Sequence, residues 1–100
     1  METQVEKTIQ ECYLEVTPYS QRFFLGKDYR IVHIAESGEG ETMDMYVELD
    51  HGSRKARELL PATYFYVFKS SEKIRAGLEY VGTVPMRAGQ VWHIYKQPNS

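Results

Sequence analysis

The sequence has a single cysteine, Cys12, in 100 residues. One thiol cannot form an internal disulfide, so the multi-bridge frameworks of small secreted domains are excluded. No apolar run approaches the ~20 residues that a membrane-crossing helix needs. The opening residues Met-Glu-Thr-Gln-Val-Glu-Lys lack the basic start and apolar stretch of a secretory signal. A cytoplasmic protein with no membrane association is therefore expected. Excess charge is missing too: 12 basic residues against 14 acidic ones leave a net charge of −2. General nucleic-acid binders usually carry a strong basic excess, because neutralised phosphates supply much of their affinity. Only local patches can decide what this chain binds.

Catalytic signatures are also lacking. His33, His51 and His93 are scattered, and there is no Cys-x-x-Cys, so nothing has the spacing of a zinc site. Gly38 and Gly40 share their segment with Glu36, Glu39 and Glu41, which would repel the phosphate that a glycine loop cradles. No Gly-x-Ser-x-Gly turn occurs. Cys12 beside one histidine would make a thiolate pair only if folding joined them. The expectation is a non-catalytic chain with no cofactor and no metal.

What is present suits one globular domain over 1–100, with loose ends near 1–8 and 97–100. Hydrophobic residues make up 42%, which is enough for one core without disulfides. The clearest pattern is strict alternation. Met43, Met45, Val47 and Leu49 point one way, while Asp44, Tyr46, Glu48 and Asp50 point the other, which predicts a strand with one dry face and one wet face. Further strands are expected near 11–17, 29–35, 63–68, 78–84 and 91–96. The last two flank Pro85-Met-Arg-Ala-Gly89, a five-residue hairpin loop. Before them, Val5, Ile9, Cys12 and Val16 recur near helical spacing, so a short helical lead is expected. Ser53 could cap a basic helix over 54–60, stopped by Pro61, and Ser70 or Ser71 could cap one helical turn ending at Gly77. These elements add up to an α+β domain, with one mainly antiparallel curved sheet of five to six strands and one or two short helices. A small half-open β-barrel is the alternative.

Two features bear on function. The chain has eight tyrosines, and a tyrosine joins a large apolar ring to one polar tip, as a surface that is dry only when bound requires. Most such rings pack at core edges. Tyr46 is the exception, because alternation puts it on the wet face beside Asp44 and Glu48. Residues 36–50 hold six carboxylates and no Lys or Arg, whereas Arg54, Lys55 and Arg57 follow close behind. Solvated charge is the ordinary reading of both segments. The leading expectation is a protein-interaction module. Tyr46 would anchor the partner, Asp44 and Glu48 would steer it, and Arg54, Lys55 and Arg57 would complete the surface. The partner is a protein, with a second copy in a homodimer as one form. Nucleic-acid binding through the 54–57 basic helix and the aromatic 64–68 strand is the alternative. A small-molecule pocket between sheet and helices, with His33 or His93 as its polar group, is the third.

Overall fold

A computed structural model describes residues 7–26, 28–38, 42–50, 62–87 and 89–98. Seven strands run through them: β1 Lys7–Glu15, β2 Gln21–Phe24, β3 Tyr29–Glu36, β4 Thr42–Asp50, β5 Ala62–Lys69, β6 Glu79–Pro85 and β7 Val91–Lys96. They form two antiparallel sheets, one in the order β1-β4-β3 and the other β2-β5-β7-β6. The shortest dimension is 20 Å, as expected of two sheets stacked about 10 Å apart with side chains outside.

The α+β expectation is overturned, because no described residue lies in a helix. The single curved sheet and the half-open barrel give way to two separate sheets, each with its own pair of edge strands. Around residues 70–77 the expected helical turn stops short. The Lys69 amide donates to Glu72 Oε1 at 2.7 Å, and the Glu72 amide donates to the Lys69 carbonyl at 3.1 Å. That is the chemistry of a helix start, yet every side chain from Ser70 to Gly77 is exposed. A helix with no face to bury gains too little to propagate. The expected 54–60 basic helix lies outside the described residues. The helical lead is overturned over residues 7–10, where β1 already pairs with β4 from Lys7 onward.

The alternation in β4 supplies the centre of the first sheet. Met43, Met45, Val47 and Leu49 are buried, while Thr42, Asp44, Tyr46 and Glu48 are half-exposed on the opposite face. On β1, Cys12 and Leu14 lie opposite Met45 and Met43 and share their buried face. β3 has a harder problem, because its apolar residues Tyr29, Ile31 and Ile34 do not keep a period of two. A bulge between Ile31 and His33 resolves it. Val32 is the extra residue, which returns Ile34 to the inner face and turns His33 outward. A second bulge between Tyr80 and Gly82 does the same in β6.

The second sheet contributes Phe65, Val67, Trp92, Ile94 and Val84 to the same buried cluster. Each such side chain contributes about 1.5–3 kcal/mol on leaving water. β3 and β6 approach closely at Gly82, where a Cβ would lie 3.3 Å from Ile34 Cδ1. The 91–96 strand and its hairpin loop form as expected. The Met86 amide bonds the Gln90 carbonyl at 2.7 Å, and Gly89 takes φ +92°, which only glycine adopts without strain. Glu36 at the end of β3 accepts from the Arg87 amide at 3.1 Å, tying the first sheet to this turn.

Candidate functional site

Packing uses the inner faces, so function must be sought on the outer ones. On the first sheet, register places Glu11, Tyr46 and His33 in one row across β1, β4 and β3. Tyr46 stands at its centre. Its hydroxyl donates to Glu11 Oε2 at 3.2 Å, while the Tyr13 hydroxyl donates to Glu11 Oε1 at 3.2 Å. One carboxylate thus holds two phenols. The hydrogen bond to Glu11, aided by that carboxylate's charge, raises the Tyr46 pKa above 10.0. The phenol therefore remains a neutral donor at physiological pH. The His33 ring lies 6.1 Å from the Tyr46 ring, centroid to centroid.

The two carboxylates expected to flank Tyr46 differ from one another. Glu48 lies between Lys7 Nζ at 3.6 Å and Arg30 Nη2 at 3.4 Å, one from each neighbouring strand. Its charge is largely answered, which weakens the steering role expected of it. Asp44 lies opposite Tyr13 and Ala35. Its Oδ1 is buried and has no hydrogen-bond partner among the described residues. Ile9, at 56% exposure, and Tyr13, at 59%, complete the face. Arg54, Lys55 and Arg57 lie outside the described residues.

Glu11, Tyr13 and Arg30 were not singled out in the sequence. The alternation of Glu11, Tyr13 and Glu15 with Cys12, Leu14 and Val16 was the available signal, masked by the competing helical spacing of Val5, Ile9 and Cys12. Arg30 had no local signal, because it reaches Glu48 only through strand pairing.

The second sheet's outer face is aromatic. β5 has apolar side chains on both faces, and among the described residues no further strand or helix lies over its outer one. Phe65 and Val67 enter the core, whereas Tyr64, Tyr66 and Phe68 point the other way. His93 lies on this outer face, with its Nε2 3.0 Å from Ser70 Oγ and its Nδ1 3.0 Å from Thr83 Oγ1. Both His33 and His93 therefore face away from the space between the sheets. Cys12 points inward while His33 points outward on the same sheet, so the two do not form a thiolate pair. Among the described residues, no group of three or more His, Cys, Asp or Glu is placed to hold a metal ion. No helix among them is long and apolar enough to cross a membrane.

A family model described as "Domain of unknown function (DUF7352)" matches residues 5–100. No curated protein and no solved structure matches the chain. With nearly its whole length matched, the chain belongs to the DUF7352 family.

Proposed function

We propose that this chain is a non-catalytic protein-interaction module that docks its partner on the outer face of β1, β4 and β3. The observation that carries the reading is the company Tyr46 keeps. A half-exposed tyrosine lies between Ile9 and Tyr13, both more than half exposed, with Glu11 gripping two of the three side chains. Aromatic rings amid polar groups are the usual carriers of interface energy. Holding the phenols in place before contact lowers the entropy that binding must overcome. Glu11, Glu15 and Asp44 give one end of the face an acidic character and favour a basic partner surface. Lys7 and Arg30 lie at the other end. A second copy related by a two-fold axis would set the acidic end against the basic one, so self-association is included in the proposal.

The experiment combines mass in solution with partner capture. Tyr46→Ala is expected to lower affinity about 30-fold, corresponding to the ~2 kcal/mol of an interface hot spot. If the chain is monomeric and every captured protein stays bound to Tyr46→Ala and Glu11→Ala, the reading fails.

A further inference from the structure

The outer face of the second sheet has a chemistry of its own. Tyr66 and Phe68 on β5, Tyr95 on β7 and Tyr80 on β6 make one continuous row. Successive ring centroids are 6.4, 5.7 and 5.5 Å apart. The row crosses three adjacent strands, since Tyr66 pairs with Tyr95 and Tyr95 with Tyr80. Tyr66 is only 9% exposed, yet it lies outside the core cluster. It is covered from outside, with the Arg75 guanidinium 5.0 Å from its ring centroid. Tyr80, at 58% exposure, is the open end.

The row is held in place before any ligand arrives. The Tyr80 hydroxyl shares a short hydrogen bond with Thr83, Thr83 reaches His93, and His93 reaches Ser70. The charge on this face is one-sided. Arg22, beside Phe24 at 5.4 Å, and Arg75 bring two cations. Among the described residues, register puts no Asp or Glu at an outward position of β2, β5, β7 or β6. Glu72 in the β5–β6 connection is turned back onto the Lys69 amide.

From this face we infer a second binding site, independent of the Tyr46 surface, that takes single-stranded nucleic acid. Unpaired bases stack on the row from its open Tyr80 end through Tyr95 to Phe68. Tyr66 and the Arg75 above it close the other end, and Arg22 and Arg75 take backbone phosphates. Rings interleaved with cations are how single strands are held without sequence readout. A duplex keeps its base faces inside its own stack and cannot use such a row. A neutral sugar would leave the arginines without a role. The chain's net charge of −2 is compatible, because stacking rather than bulk charge supplies the affinity.

The test is fluorescence anisotropy with a labelled oligothymidylate of about ten nucleotides, within the span one such surface covers. Two phosphate contacts predict a salt slope near −1.4, or about sevenfold weaker binding between 50 and 200 mM salt. Tyr80→Ala and Arg75→Glu, both at exposed positions, are each expected to weaken binding fivefold or more. Tyr80→Phe keeps the ring and is expected to stay within about threefold of wild type. Tyr46→Ala is expected to change nothing, which separates this site from the protein-binding one. The inference is overturned by no binding at 50 mM salt, by equal binding to a duplex or to heparin, or by folded Tyr80→Ala and Arg75→Glu variants that bind as wild type does. A salt effect above 100-fold would also overturn it, since that needs many more phosphate contacts than this face supplies.

Discussion

Tyr46 and Glu11 stand directly opposite one another on β4 and β1, and the phenol donates to the carboxylate at 3.2 Å. The bond favours the protonated phenol, so Tyr46 is predicted to ionise above 10.0. Glu11→Gln removes the negative charge and should bring its titration back toward the ordinary tyrosine range. Ultraviolet difference titration of the wild type and the variant checks this. Superimposable curves would show that Glu11 does not act on Tyr46.

The alkaline edge of stability should depend on Lys96. Burial pushes its pKa down, but hydrogen bonds with Glu79 and Tyr29 outweigh burial and raise it above 10.5. The Lys96–Glu79 distance is 3.0 Å. A folded-state pKa above the unfolded one means a contribution fully present below about pH 10.5 and lost as pH rises through the folded value. Glu79→Gln should therefore lower stability at neutral pH and flatten the decline on the alkaline side. Denaturant melts from pH 8 to 12 would show it.

Asp44 is predicted to be a liability for folding. A buried polar atom without a partner costs about 1–3 kcal/mol, and Asp44 Oδ1 has none among the described residues. Aspartate also suits a strand poorly, whereas threonine suits it well. Asp44→Thr is expected to raise stability by about 1 kcal/mol in urea melts. If Asp44 serves the partner, the same variant should bind more weakly.

Adjacent residues of β4 should separate folding from recognition. Met45 is fully buried, and Met45→Ala is expected to cost about 2–5 kcal/mol through lost burial and the cavity it leaves. Tyr46→Ala, on the opposite face, is expected to cost about 1 kcal/mol or less. Comparable losses from the two would mean that Tyr46 packs as a core residue does.

β4 was readable because one rule governs it throughout. Met43 to Asp50 alternate without a break, and alternation alone assigns faces. β3 follows no single rule, since the step from Ile31 to Ile34 needs a bulge that only its partner strand specifies. β2 escaped notice because Gln21-Arg-Phe-Phe24 is four residues long and exists as an edge added to β5. The α+β expectation rests on two local helix signals: the one over 54–60 lies outside the described residues, and the one at 70–77 is real at Lys69 and Glu72 but has no apolar face to extend it. Tyr46 was found in the sequence because its neighbours declare its side. Glu11, Tyr13 and Arg30 were missed because their roles arise across strands. The aromatic row is the same kind of case: Tyr66, Tyr95 and Tyr80 are neighbours only in register.

Hydrogen exchange on the chain bound to a captured protein partner tests the Tyr46 surface most directly. Exchange is expected to slow on binding in β1 and β4, around Glu11, Tyr13 and Tyr46, with the strands of the second sheet unchanged. Protection confined to β5, β6 and β7, with β1 and β4 exchanging as they do in the free chain, would contradict it.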